Sequence, residues 1–262
     1  MNDGIILSVF TKPWTMPLPE LGKFVSDIGF GGIELPVRPD YQVEPDNVVK
    51  GLSEAAKVLG DFGVKITSIA GEQTEAMMEG CANAGVPVIR ICVGVGPDGY
   101  MATEKRLQNE FDALVPKLAQ WGVTLGVQNH SGNSVCNAMG LRHLIEKYDP
   151  KQIAAIWCAG HNALKGEDPE IAIDIVWDML SMVFLKNAIY VRENGPEAEV
   201  AEYYSFWTSG RQGLSNWPKI IAELKRRNYK GCINLNAEYS DDKSVVRLVK
   251  EDIAFVKELL CQ

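Results

Sequence analysis

Apolar runs of six or seven residues alternate with stretches of helical periodicity eight times along this chain, and few folds accommodate that pattern. The runs lie at 5–10, 31–36, 64–70, 88–94, 123–128, 153–158, 182–187 and 231–236. Helical periodicity fills 18–28, 46–62, 72–84, 103–121, 138–147, 168–180, 216–228 and 243–260. A short apolar run bounded by Gly and polar residues reads as a strand buried on both faces, as parallel strands are. Gly29, Gly63, Gly85 and Gly122 stand where helices end before the next run, the usual place for a terminating glycine. Pro17, Pro19 and Asp168-Pro169 stand where helices begin. Eight such units with no compositional break predict one (β/α)8 TIM barrel spanning 1–262, rather than an open doubly wound sheet. No GxGxxG follows the first run, which argues further against a dinucleotide-binding sheet.

Composition narrows the partners. Twenty-six basic against 34 acidic residues give a net charge of −8, which repels nucleic acid and anionic membranes. Lys225-Arg226-Arg227 reads as the solvated end of a helix, not as a basic groove. The six cysteines, at 81, 92, 136, 158, 232 and 261, form no CxxC pair and read as reduced thiols of a cytosolic protein. The start carries no basic leader region, and no run is long enough to span a membrane. The expectation is a cytoplasmic protein handling a small molecule, with no nucleic acid or membrane partner and with a homo-oligomer left open.

Four runs in the second half end in compact polar clusters. They are Gln128-Asn129-His130, Cys158-Ala159-Gly160-His161, Phe184-Leu185-Lys186-Asn187 and Asn236-Ala237-Glu238. In a barrel of this kind the strand ends line the active-site mouth. Strand alternation aims the side chains. The apolar sets Ile33/Leu35, Ile89/Ile91/Val93, Leu125/Val127, Val183/Leu185 and Ile233/Leu235 face the helices. Glu34, Arg90, Gln128, Cys158, Lys186 and Asn236 then point inward as one ring. An inward lysine at a strand end needs a partner or a task, and Glu238 is the nearest candidate for both. Structural readings stand beside the functional ones. Glu34 and Arg90 also make sense as a salt bridge inside the barrel, Cys158 as an apolar filler, and His130 as a loop brace. His143, mid-helix, is assigned nothing. The segment 187–215, with Arg192, Tyr203, Tyr204, Trp207 and Arg211, reads as a long loop serving as a lid or substrate wall.

These segments, in this order, resemble the xylose-isomerase-like superfamily of sugar and sugar-phosphate isomerases and epimerases. Gly29-Phe-Gly-Gly-Ile-Glu34-Leu35 resembles that family's second strand, and Gln128-Asn129-His130 its Glu-Asn-His strand end. Cys158-Ala-Gly-His161 resembles Asp-x-Gly-His, Phe184-Leu-Lys186-Asn187 resembles His-x-Lys-Asp, and Gly231 to Asn236 resembles the last strand ending in Glu. The resemblance implies the eightfold barrel and a divalent metal, usually Mn²⁺, Mg²⁺, Co²⁺ or Zn²⁺, held by Glu, Asp, His and Glu. Here those positions are Gln128, Cys158, Phe184 and Asn236. Hard cations require oxygen ligands with negative charge, so the usual site is expected to carry no metal. Two substitutes stay open: a divalent ion such as Mn or Zn held through a displaced carboxylate, Glu238, or a softer zinc site through Cys158 and His161 with His130. The AP-endonuclease branch of this barrel needs several histidine and carboxylate ligands for a zinc cluster, and three histidines with a net charge of −8 argue against it.

The expectation that follows is a sugar or sugar-derivative isomerase or epimerase, working by proton transfer next to a carbonyl. Glu238, or Glu34, would take the proton, while Lys186 and His161 stabilise the enediolate oxygen. Glu34, Arg90, Gln128, Asn129, His130, Asn236 and Arg211 would bind a small carbohydrate-like substrate. Two alternatives compete, because fold does not fix reaction. One is a lyase or hydrolase on the same barrel. The other is a catalytically silent carbohydrate-binding or partner-subunit relative.

Overall fold

The computed structural model describes residues 4–262; residues 1–3, where the reading of the N-terminal start falls, lie outside the described residues. The first half alternates β1 (Ile6–Phe10), α1 (Leu18–Ile28), β2 (Gly32–Pro36), α2 (Val48–Gly60), β3 (Lys65–Ala70) and α3 (Glu75–Ala84). Next come β4 (Val88–Cys92), α4 (Tyr100–Trp121), β5 (Thr124–Gln128), α5 (Ala138–Ile145) and β6 (Ile153–Cys158). A short α6 (Ala159–Ala163) and α7 (Pro169–Val176) then lead to β7 (Leu180–Leu185). The chain finishes with β8 (Asn187–Arg192), β9 (Tyr203–Thr208), α8 (Trp217–Arg226), β10 (Cys232–Asn236) and α9 (Val245–Cys261). Strands β1 to β7 and β10 close into one parallel barrel in sequence order, β10 pairing with both β7 and β1. The expected (β/α)8 barrel is therefore present.

Strand alternation sorts the apolar residues into two layers. Ile33, Leu35, Leu125, Val127, Val183, Leu185, Ile233 and Leu235 all pack in the core between sheet and helices. A second, small cluster of Val88, Ile156, Cys158, Met182 and Phe184 fills the barrel itself. Full burial of each such side chain contributes roughly 1.5–3 kcal/mol. Gly126 allows that inner filling, since a Cβ there would stand 2.4 Å from Ile156 Cδ1. Gly29 at φ 99° and Gly122 at φ 64° end α1 and α4 in the left-handed conformation that β-carbons disfavour.

Two features depart from expectation. The segment 187–215 is not a plain loop, because β8 and β9 form an antiparallel hairpin over the seventh strand end. Tyr, Phe and Trp in β9 favour a pleated half-buried surface. Asn187 secures the base of the hairpin: its Oδ1 accepts from Ser215 N–H at 2.7 Å, and its Nδ2 donates to the Gly210 and Ser215 carbonyls at 2.9 Å each. The seventh strand begins at Leu180, two residues before the predicted run, because Leu180 already pairs with Ala155. No helix of the described residues is long and apolar enough to cross a membrane.

Candidate functional site

Below the mouth lies a charged floor. Arg90 Nε donates to Glu34 Oε1 at 2.7 Å, and Arg90 Nη1 donates to Gln128 Oε1 at 2.9 Å. Ser68 Oγ donates to the same Glu34 oxygen at 3.2 Å, while Glu34 Oε2 is buried without a partner. Phe10 and Phe184 cover the guanidinium at 4.8 and 5.5 Å from its central carbon. Burial lifts the Glu34 carboxyl above its ordinary range, and Arg90 pulls it back. The short Nε–Oε1 contact and the permanently charged guanidinium favour the ionised pair. Glu34 is sealed from solvent and Gln128 nearly so, so both act through Arg90 and neither lines the open mouth.

The mouth itself is built by Lys186 and Glu238. Lys186, one residue past β7, donates to Glu238 Oε2 at 3.0 Å. Lys12, beyond β1, pairs with Oε1, and Asn236 Nδ2 approaches Oε2 at 3.4 Å. Burial tends to raise the Glu238 carboxyl, but Lys186 and Lys12 overrule it and hold the group well below the usual carboxylate range. Trp207, on β9, lies over the ammonium with its ring centroid 3.8 Å from Lys186 Nζ. Its backbone N–H donates to Ser240 Oγ at 2.8 Å, and Ser240 N–H donates to the Trp207 carbonyl at 3.0 Å. The hairpin thus roofs the mouth, as the lid reading of 187–215 expected of Trp207.

Two imidazoles complete the wall. His130 and His161 lie against each other with centroids 3.9 Å apart and planes tilted by 34°, and Trp207 meets His161 edge-on at 4.8 Å. Ser131 N–H donates to His161 Nδ1 at 3.1 Å, which leaves the His161 proton on Nε2. His130 Nδ1 lies 2.7 Å from the Ser131 carbonyl and must donate to it, which leaves His130 Nε2 as an acceptor. Burial first, then Lys186 and His130, push His161 down to about 2. Burial also lowers His130, against the Ser131 carbonyl. The pair presents one N–H and one lone pair, both on neutral rings. Gly160 brings α6 close beneath them, since a Cβ there would stand 2.6 Å from the Lys186 carbonyl oxygen.

Glu34, Arg90, Gln128, His130, His161, Lys186, Asn236 and Glu238 therefore converge on one end of the barrel. Among the expected binding residues, Asn129 lies at the same strand ends but, like Glu34 and Gln128, is closed to solvent, and Arg211 lies elsewhere. Arg211 lies outside the mouth, where Nη2 pairs with Glu258 Oε2 at 2.8 Å and the guanidinium stacks on Phe255 at 3.7 Å. The turn after β9 carries it to α9, a direction that local sequence does not encode. Asn129 is sealed, with Oδ1 accepting from Cys158 N–H at 2.7 Å and Nδ2 donating to the Cys158 carbonyl at 3.2 Å. It joins two strand ends instead of facing a ligand. His143 is exposed and pairs with Glu104 at 2.7 Å. Sequence reasoning missed Lys12 and Ser131. Lys12 carried the same signal as the other clusters, a polar residue after an apolar run; Ser131 meets His161 Nδ1 with both its backbone N–H and its Oγ, a contact across 30 residues that local sequence does not record.

The metal site implied by the resemblance does not fit these residues. Gln128 Oε1 is bound to a guanidinium, which would repel a dication at that oxygen. Cys158 packs in the apolar cluster, and Phe184 has no donor atom. Asn236 Oδ1 faces Asn234 Nδ2 at 3.3 Å. Among the described residues no three His, Cys, Asp or Glu side chains are grouped to hold an ion. The cavities farther down the barrel, the larger of about 600 Å³ lined by Gly4, Ile6, Thr124 and Cys232, lie at the opposite strand ends.

Comparison with known proteins places this barrel. An inosose dehydratase of Lacticaseibacillus casei is 22% identical over 148 residues, covering 53% of this chain and 49% of that protein. The chain thus spans about half the length of the curated relatives it matches. The crystal structure of 3-keto-D-glucoside 4-epimerase from E. coli aligns with TM-score 0.72 at 13% identity, covering 97% of this chain and 99% of that one. A D-psicose 3-epimerase solved in the presence of D-fructose aligns with TM-score 0.70 at 12% identity, covering 98% and 100%. At such identities the structural matches establish the fold alone. The family model described as xylose isomerase-like TIM barrel matches residues 23–259, and the chain belongs to that family.

Proposed function

We propose that this protein is a sugar-modifying enzyme that moves a proton next to a carbonyl without a divalent metal. The observation that carries the reading is the Lys186–Glu238 pair, 3.0 Å apart at the barrel mouth beneath Trp207. Entry of a carbonyl oxygen between the two groups draws the ammonium away from Oε2. Lys186 then donates to the oxygen, and Glu238, relieved of one cation, regains basicity. The carboxylate takes the proton from the neighbouring carbon, the C–H electron pair moves into a carbon–carbon double bond, and the carbonyl π pair settles on oxygen as an enediolate. Lys186 and the Nε2–H of His161 stabilise that oxygen. Return of the proton to the same carbon on the other face gives epimerisation; return to the former carbonyl carbon, with the hydroxyl proton shifted to the former carbonyl oxygen, gives isomerisation.

A second reading shares the first step. The sequence relatives include inosose dehydratases, and loss of a hydroxyl from the carbon beyond the enediolate would give dehydration. The proton that Glu238 has taken from carbon would pass to the leaving hydroxyl, which departs as water and returns the carboxylate. The test is incubation with a panel of ketoses and inososes in D2O with EDTA, followed by NMR. Deuterium at the carbon next to the carbonyl is expected, with loss of exchange in Glu238→Gln and Lys186→Met. A new enone signal selects dehydration over isomerisation. Unlabelled substrates throughout the panel, or full exchange in both variants, would sink the proposal.

A further inference from the structure

The four positions where the resemblance places metal ligands have changed in a concerted way: two of them, 128 and 184, now attend a cation that belongs to the chain. Gln128 accepts from Arg90 Nη1, and the rings of Phe10 and Phe184 lie 4.8 and 5.5 Å from the guanidinium carbon. A neutral amide at 128 satisfies the guanidinium without placing a second negative charge beside Glu34. A benzene ring at 184 offers a π face, where a protonated imidazole would repel. Glu34 fixes Nε, and Gln128 fixes Nη1. Nη2 forms no hydrogen bond with any described residue, yet it is not sealed among the buried orphan atoms. Arg90 also lines a cavity of about 530 Å³ beside the ends of β2 to β4, with Arg38, Gln73, Cys92 and, from α4, Leu107 and Phe111; Lys186, Glu238 and the two imidazoles do not line it. Phe10 and Phe184 stand two residues before Lys12 and Lys186, the two cations that hold Glu238, which sets the guanidinium one layer beneath that carboxylate.

We infer that Arg90 is a further catalytic residue, whose Nη2 donates to the oxygen on which negative charge develops, in the electrostatic role a divalent ion holds elsewhere on this barrel. The inference rests on the proton-transfer reading and adds a fixed donor to it. The guanidinium is preorganised by hydrogen bonds on two nitrogens and by two neighbouring rings, so it need not reorient as charge appears. Its fork also selects planar oxygen pairs.

Oxalate, a planar dianion shaped like an enediolate, is the probe. Calorimetric titration of EDTA-treated protein should give binding to the wild type and at least about tenfold weaker binding to Arg90→Lys, which keeps the charge and loses the fork. Near-UV circular dichroism establishes that the variant is folded. Should it not fold, the ¹⁵N-arginine-labelled wild type decides, because the protected Arg90 N–H signals must move on saturation with oxalate. Equal affinity in Arg90→Lys, unmoved arginine signals, no oxalate binding, or binding that requires added Mn²⁺ each overturns the inference. Deuterium exchange that persists in Arg90→Lys, with oxalate affinity unweakened, removes Arg90 and leaves the proton-transfer reading standing. Oxalate bound through Arg90 with no exchange on any substrate removes that reading and, with it, the catalytic role.

Discussion

Replacing Arg90 by methionine should be far more damaging than replacing Arg90 and Glu34 together. In the single variant Glu34 keeps only Ser68 at 3.2 Å on Oε1, and Oε2 already lacks a partner. Removing one member of a buried ion pair typically costs about 3–5 kcal/mol, because the other charge is left uncompensated. For a chain of this size that corresponds to a fall of roughly 6–20 °C in Tm. Glu34 can escape by taking a proton, and burial already raises it above the ordinary 4.5. A carboxyl whose folded pKa lies above its unfolded value stabilises fully below the unfolded value, and that stability is lost as pH rises through the folded one. Arg90→Met should therefore lose more stability at pH 8 than at pH 5. Urea unfolding at the two pH values measures both effects, and Glu34→Gln added to Arg90→Met should restore more than half of the loss. A single variant that loses less than about 1 kcal/mol, that is weaker at pH 5, or that the second substitution fails to rescue would refute the reasoning.

His161, held near 2 by burial, Lys186 and His130, should stay neutral from pH 5 to 8 in ¹⁵N NMR spectra, and a titration inside that window would contradict the assigned tautomer. Because its folded pKa lies below its ordinary 6.5, it should make the protein less stable as pH falls below about 6.5, where only the unfolded chain takes the proton. Gly160→Ala places a Cβ against the Lys186 carbonyl and should destabilise by about 1–3 kcal/mol; a thermal melt matching the wild type would show that α6 yields freely there. Purified protein should carry well under one equivalent of Mn, Co or Zn, with a Tm unmoved by EDTA, and a stoichiometric ion in elemental analysis would restore the metal-dependent reading.

The barrel was legible because its signal is local. A residue such as Leu125 or Ile233 faces the helices by strand parity alone, and parity needs no knowledge of the partner strand. Parity says nothing of depth. Glu34 and Gln128 point inward as expected, yet they lie in a layer beneath the mouth, where they hold Arg90 and are closed to solvent. Lys186 and Glu238 stand beyond the last ladder pairs, where the mouth opens. Arg211 was misplaced for a related reason: the path of the chain after β9 is set by Asn187 and by the Asp252 carboxylate, which accepts from Gly210 N–H at 2.8 Å. Those contacts span tens of residues, and no periodicity records them.

The reciprocal hydrogen bonds between Trp207 and Ser240 tie the roof to the segment that carries Glu238. Lifting the hairpin to admit a ligand pulls on a residue two positions from the carboxylate. Admission and disarming are then mechanically interlocked. Under the proposed function, raising Trp207 would loosen Glu238 from Lys186 as the mouth opens. On the proposed chemistry, such a tie would assemble the two charges as the roof closes over a ligand.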